Sequence, residues 1–397
     1  MNTSKYLSLC LVFLGLFQAL AQTEQQRPII TGVPFLLIPA DARASGMGDM
    51  GVATPVDVYS QQWNPAKYAF SENKQGIGFG YTPYLRELAD DINLGTLTYY
   101  NRINERGSFS ASLRYFGLGE VNLRQTAEDI GRPVEPNEFA VDLSYSLRLS
   151  ETFAMSVTGK FIRSDFRIPS GLGSAQAANS FAAGIHGFYR SKEKFYDNIN
   201  MTGRWRAGFA IDNIGPKISY DDGGFDNFIP TMFRAGGGFD FIFDASNRLG
   251  VYVEANKLLV PTPPSFPETS IPPTAEEQAE IERLRQNYLS QNEYAAIFTS
   301  WTSAPGGFSE TFREITWSIA TEYWYEDAFA LRAGYFYEHP EKGFRQYATI
   351  GFGFKYTSVM IDASYLFSTA QGVQNPLEGT LRFSISFNLG ENRYVEF

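Results

Sequence analysis

The sequence predicts an all-β fold: a transmembrane antiparallel β-barrel of about fourteen strands, set in an outer membrane and preceded by an N-terminal plug. Three observations lead there. From about Gln75 onward the chain is a succession of ten-residue segments that alternate apolar and polar, the clearest being Phe139-Ala140-Val141-Asp142-Leu143-Ser144-Tyr145-Ser146-Leu147-Arg148-Leu149. A strand has a side-chain period of two, so each segment shows one face to an apolar medium and one to water. These segments are too many and too uniform in length for two packed sheets, which leaves a barrel with lipid outside and a polar interior. The links between segments alternate short and long, as periplasmic turns and external loops do. Finally, the chain opens on a secretory signal and has no later apolar run long enough to span a bilayer as a helix.

Taken in order, residues 1–21 form the signal. Lys5 supplies its charge, Leu7 to Leu16 its apolar run and Ala19-Leu20-Ala21 its cleavage site. Cys10, the only cysteine, lies inside it, so the mature chain holds no disulfide and no thiolate metal site. Residues 22–74 lack a period of two and are dense in Gly, Pro and Asp, a composition suited to folding back into the lumen as a plug. The barrel is expected over 75–397, with strands starting near Gln75, Asp91, Gly107, Glu138, Thr152, Ser180, Gly203, Thr231, Asn247, Glu314, Phe329, Tyr347, Val359 and Thr380. The strand near Asp91 alternates least. Ser150-Glu151, Asp244-Ala245-Ser246, Glu326-Asp327-Ala328 and Ser358 read as periplasmic turns, while 117–137, 163–179, 212–230 and 258–313 read as external loops. The link 190–202 is long for a periplasmic turn. Aromatics such as Trp317, Tyr323 and Tyr325 suit the membrane interfaces, and Lys257 falls on a lipid face at a strand end, where it can snorkel.

The long loop at 258–313 holds a stiff proline run from Pro261 to Pro267, then a helix signal: Thr274 as N-cap, Glu277 three residues on, and Ile281, Leu284 and Tyr288 at helical spacing. Its apolar side chains Phe266, Tyr288, Phe298, Trp301 and Phe308 are poorly accounted for by a free surface loop and make it the candidate partner-binding surface. A lid folded over its own barrel is the alternative.

Chemistry finds little support in the residues. The chain carries a net charge of −10 without a basic stripe, which argues against nucleic acid as a partner. Gly46-Met47-Gly48-Asp49-Met50-Gly51 matches a dinucleotide fingerprint but lacks the strand-to-helix context in a parallel sheet, so tight turns within the plug explain it better. Only His186 and His339 exist, neither beside an evident nucleophile motif, and no catalytic residue is assigned. The acidic run Asp221 to Asn227 lacks the spacing of a calcium loop; no metal and no cofactor are expected. Alternation sends Arg114, Arg148, Lys160, Arg204, Arg206, Arg234, Arg248, Arg332, Lys355 and Arg382 into the lumen, with Asp142, Asp240, Glu254, Glu322, Glu338 and Asp362. Mixed signs favour a salt-bridged lumen gripping a plug that carries Asp41, Arg43 and Asp49, over an ion-selective pore.

The stretch Ile38-Pro39-Ala40-Asp41-Ala42-Arg43-Ala44-Ser45-Gly46-Met47-Gly48-Asp49-Met50-Gly51-Val52-Ala53 resembles the opening of the PorV (LptO) family, outer-membrane components of the type IX secretion system. Trp63-Asn64-Pro65-Ala66 resembles the Asn-Pro-Ala element of the wider FadL-like barrels, which have fourteen strands and an N-terminal hatch. Paralogues such as PorQ share parts of the first motif. The resemblance covers essentially the whole mature chain. It implies a role without chemistry: binding secreted cargo through its C-terminal signal domain and passing it from a SprA/Sov-type translocon barrel to a PorU-type sortase and attachment complex. Outer-membrane lipid and lipopolysaccharide are implied neighbours. It also leaves two alternatives, a FadL-type channel for a hydrophobic solute and a lipid-A-modifying enzyme. The plug residues it highlights are Asp41, Arg43, Gly46, Gly48, Asp49 and Gly51.

Overall fold

A computed structural model describes residues 27–85, 89, 91–124, 130–166, 169–170, 173–174, 177–197, 200–220, 226–266, 274–370 and 377–390. Fourteen strands form the barrel: β1 Gln75–Pro83, β2 Asn93–Arg102, β3 Gly107–Gly117, β4 Asn137–Arg148, β5 Phe153–Asp165, β6 Ala178–Arg190 and β7 Met201–Ile214. The second half is β8 Met232–Ile242, β9 Asn247–Leu258, β10 Ile315–Tyr325, β11 Phe329–Tyr337, β12 Gln346–Tyr356, β13 Val359–Ser368 and β14 Leu381–Leu389. Each pairs antiparallel with its sequence neighbours, and β1 also pairs with β14, Gln75 opposite Leu389, which closes the ring. Closure removes the unpaired backbone edges that hydrocarbon cannot solvate. Every expected strand is present, including the weakly alternating β2.

The alternation does what a barrel wall requires. Along β4, Val141, Leu143 and Tyr145 are exposed, while Asp142, Ser144 and Ser146 are buried. Short links at 103–106, 149–152, 243–246, 326–328 and 357–358 gather at one end, which an outer-membrane barrel turns to the periplasm. At Glu326 and Asp327 the backbone takes φ of 52° and 49°, the left-handed pair that lets two residues turn a hairpin in step with strand twist. The one long link at this end holds a short strand, Lys194–Tyr196, which pairs back onto the start of β7.

Residues 27–74 contact the inward faces of the strands. Arg114 donates to the carbonyls of Phe35, Leu36 and Ile38, and the Tyr59 hydroxyl donates to Phe79 O at 2.9 Å and Ile385 O at 2.7 Å. Phe35, Leu36 and Ile38 pack with Leu94, Phe116, Ala140 and Ile162, and Met47 and Met50 with Tyr252 and Ala320. The segment includes two one-turn helices, α1 Ala42–Ser45 and α2 Ser60–Trp63.

The longest external link carries three helices: α3 Ala275–Leu289, α4 Glu293–Thr299 and α5 Gly307–Arg313. The expected capping box starts α3. Thr274 Oγ1 accepts from the Glu277 amide at 3.2 Å, and the Glu277 carboxylate accepts from the Thr274 amide at 2.6 Å. Lys257 departs from expectation. Instead of snorkelling from a lipid face it is 1% exposed, paired with Glu314 at 2.7 Å beneath Trp301, because the long link folds over that end of the wall.

Candidate functional site

The lumen holds a connected set of buried ion pairs centred on Glu322 of β10. Its carboxylate accepts from Arg43 Nε at 2.9 Å, Arg43 Nη2 at 2.8 Å and Arg332 Nε at 2.8 Å. Arg332 also donates to Asp362 at 2.6 Å, and Arg43 to Asp57 at 2.8 Å. A second pair joins Asp49 to Arg382 at 2.9 Å, with the Tyr347 hydroxyl donating to the same carboxylate at 2.5 Å. Glu254 accepts the amides of Gly51 at 2.9 Å and Val52 at 2.8 Å. Charges this deep persist only when each finds partners, so the N-terminal segment and the wall complete one another. Asp41 behaves otherwise than the sequence suggested. It caps α1 through the Ala44 amide and accepts from Trp63 Nε1 at 2.9 Å, so it organises its own segment and leaves the grip on the wall to Arg43 and Asp49.

The glycines of the motif explain the closeness of approach. A Cβ on Gly46 would meet Gly351 Cα at 2.8 Å, and Gly48, at φ 67°, lies against the Tyr335 backbone of β11. Gly51 faces Trp63 of its own segment, whose ring would meet a Cβ at 2.3 Å. Among the described residues no strand leads into the motif and only one-turn helices adjoin it, and its glycines serve packing. Replacing Gly46, Gly48 and Gly51 together with Val is expected to displace the segment and raise single-channel conductance in a planar bilayer. Unchanged conductance with normal assembly would mean that these contacts do not occlude the barrel.

The proposed partner-binding residues of the long link divide. Phe298 and Phe308 are 78% and 82% exposed, and Phe266 and Trp301 are partly so. Tyr288 is instead half-buried in a cluster with Phe228, Val260 and Ala296, its ring 5.8 Å from that of Phe228. Trp301 lies edge-on to Phe233 at 6.0 Å. An ionic clasp ties the link down: Glu310 meets Lys342 at 2.5 Å and Arg27 at 3.1 Å, and Glu314 meets Lys342 at 3.1 Å. Burial raises the Glu310 carboxyl, but Lys342, the Gly306 amide and Arg27 outweigh it and hold the group below its ordinary range. Burial and then Glu314 push the Tyr288 hydroxyl up to about 12.

Sequence reading missed one constellation. Ser156 and His186 are register partners on β5 and β6, with Ser156 Oγ 3.1 Å from His186 Nδ1, and His186 Nε2 lies 2.9 Å from Asp212 of β7. Partnering β5 with β6 residue by residue brings Ser156 to His186, and Asp212 joins them only through the register of β6 with β7. Asp212 is shared with Arg234 at 2.5 Å. Ser156 and His186 are buried, 3% and 1% exposed. His339 lies in an external turn, where it caps the one-turn helix Pro340–Lys342. Among the described residues, no group of His, Cys, Asp or Glu could hold a metal ion.

Toward the external end a cavity of about 420 Å³ lies between the N-terminal segment and the wall, lined by Ile29, Pro34, Leu37, Met232, Leu258 and Phe336 among others. Arg382 borders it with Nε and Nη2 buried and without hydrogen-bond partners among the described residues.

A closed, even-stranded antiparallel barrel with an apolar belt and a buried ionic interior is an integral β-barrel of the outer membrane. Residues 21–265 match the family model described as "Type IX secretion system protein PorV". The chain belongs to that family. Similar solved structures include the Pseudomonas putida toluene transporter TodX, at 12% identity and TM-score 0.47, covering 91% of this chain and 98% of that one. Another is the Ralstonia pickettii toluene transporter TbuX, at 9% identity and TM-score 0.46, covering 90% and 100%. A Pseudomonas aeruginosa FadL homologue aligns at 12% identity and TM-score 0.42, covering 91% and 99%. Likeness at this level says nothing of what this chain carries. A search of curated proteins finds no match.

Proposed function

We propose that this barrel is a shuttle subunit of type IX secretion, without chemistry of its own, that binds cargo C-terminal signal domains outside the membrane. It takes them from a SprA/Sov-type translocon and delivers them to a PorU-type attachment complex. Residues 27–74 act as a plug, so traffic passes over the barrel rather than through it. The observation that supports this reading is the outward display of Phe298 and Phe308 on the helices α4 and α5 of the external link, since apolar groups held in water on a clasped scaffold suit a docking surface.

Deleting residues 261–307 and joining the ends with a short Gly/Ser turn tests it. The barrel should still assemble and lose co-purification with the translocon or cargo. Because the deletion also uncovers Phe228, the double substitution Phe298→Ser and Phe308→Ser provides a milder arm with the same expected loss. Partner binding that survives both changes overturns the reading. Intact binding with greater permeability would instead assign the link to a lid.

The second reading is a channel for a hydrophobic solute. What favours it is the largely apolar cavity with the open donors of Arg382, which suit a ligand with a polar end. Bound lipid in a barrel purified alone would support that reading over the shuttle.

A further inference from the structure

The long external link touches the outside of the wall as well as its rim. Trp301, just past α4, lies edge-on to Phe233 of β8, and the Phe312 ring of α5 is 6.1 Å from that of Trp317 on β10. Arg234 and Ser318, the next residues along each strand, turn inward and are buried, so Phe233 and Trp317 face outward. We propose that this edge of the link is seated in the outer leaflet, at the boundary of headgroups and acyl chains, and that its partner is lipid. The proposal goes beyond the shuttle reading, which rests on the more exposed Phe298 and Phe308 and would survive its failure.

Continuity with the lipid belt is the first argument. Down β10 the outward series runs from Trp317 to Ile319, both exposed, and Trp317 is the register partner of Tyr337 on β11. Aromatics at the external end of the strands stand where an interface girdle belongs. Phe312 and Trp301 join that girdle by ring contact and carry the same apolar surface onto the link. Both remain open to the surroundings, at 54% and 39%. A tryptophan, apolar in body and polar at one edge, suits this boundary.

The second argument is Lys257. It stands opposite Phe233 and Ile315 and therefore on the outer side of the wall. Its ammonium meets Glu314 at 2.7 Å, both side chains are 1% exposed, and the Trp301 ring covers it at 5.6 Å. A lysine facing water needs neither counter-ion nor roof, whereas one beside hydrocarbon needs both. The neighbouring charges are also drawn back from the edge. Glu310 and Glu314 reach Lys342, and Arg313 holds both carboxylate oxygens of Glu341, at 2.8 and 2.6 Å. Rings outside and paired charges behind them suit a surface that lies in the interface.

The test reconstitutes the full chain, without other proteins, into phosphatidylcholine vesicles, in a Cys10→Ser background that removes the one native cysteine. A polarity-sensitive fluorophore on Phe312→Cys should emit to the blue of the same label on Glu276→Cys, an exposed position of α3. Nitroxide carried on lipid should quench it, and aqueous iodide should not. Ile319→Cys, outward on β10, sets the lipid-exposed limit. Emission matching Glu276→Cys, with iodide the stronger quencher, overturns the proposal. A second measurement needs no label. Trp63 is buried and Trp324 lies against Arg332 of the lumen, while Trp205 and Trp317 are exposed on the wall. Trp301→Phe, which keeps a ring over Lys257, should therefore lower the share of tryptophan emission that bromine-labelled lipid quenches. An unchanged or raised share overturns the proposal as well.

Discussion

Replacing Glu322 with Ala should destabilise the folded protein by about 3–5 kcal/mol, the effect of breaking a buried ion pair from one side. Glu322 is 1% exposed and accepts three charge-assisted hydrogen bonds, two from Arg43 of the N-terminal segment and one from Arg332 of β11. Without it, both guanidinia stay buried with less compensation: Arg43 keeps Asp57 and the Pro55 carbonyl, and Arg332 keeps Asp362. The residual charge is what makes the change severe, so Glu322→Gln, which keeps an acceptor but no charge, should fall between. The comparison is Asp327→Ala at the periplasmic mouth, which removes an exposed pair with Arg248 at 3.3 Å and should shift stability by no more than about 1 kcal/mol. Urea unfolding of the refolded barrel measures all three, and protease nicking of residues 27–74 reports whether the segment loosens first. Equal effects at Glu322 and Asp327 would mean that the interior network contributes nothing beyond surface electrostatics.

The contrast between these two sites marks how far the sequence could be read. Period-two alternation locates a strand and decides which side chains turn inward, so Glu322, Arg332 and Asp362 could be assigned to the lumen from the sequence. It does not say which of them meet. Partners across strands depend on register, and partners from residues 27–74 depend on a segment with no period at all. Arg43 could be suspected of gripping the wall, but its bidentate contact with Glu322 could not be derived, and Asp41 was given the same role although it caps its own helix. The helix α3 was legible because a capping box is a local signal. The shorter α4 and α5, held by packing and by the Glu310 clasp, gave no comparable cue. Lys257 was misplaced for a related reason: alternation was correct about its side of the strand and blind to the link that covers it. Ser156, His186 and Asp212 lay on three successive strands and needed a register, with an irregularity between Ala183 and Ile185, to bring them together.

The assignment of faces can itself be tested by placing a charge on either side of one strand. Leu143 is 64% exposed in the middle of β4, beside Ala111 and Gly159, and there the surrounding medium is hydrocarbon. Leu143→Arg should therefore cost about 2–4 kcal/mol, the penalty for a cation on the lipid face near the midplane. Its neighbour Ser144 turns inward, 4% exposed, with Oγ 2.7 Å from Gln61 Nε2 and 2.6 Å from Thr158 Oγ1. Were the lumen open, an arginine at that position would be harmless in water. Because Gln61 of α2 sits against it, Ser144→Arg overfills a packed contact and should cost about 1–3 kcal/mol by a different route. The two routes leave different traces. Leu143→Arg should lower the urea midpoint of the barrel while residues 27–74 stay protected from protease. Ser144→Arg should expose those residues first and leave the strands paired at the same urea concentration. A harmless Leu143→Arg beside a Ser144→Arg that unfolds the barrel would invert the faces of β4, and with them the division of every strand into a lipid side and a lumen side.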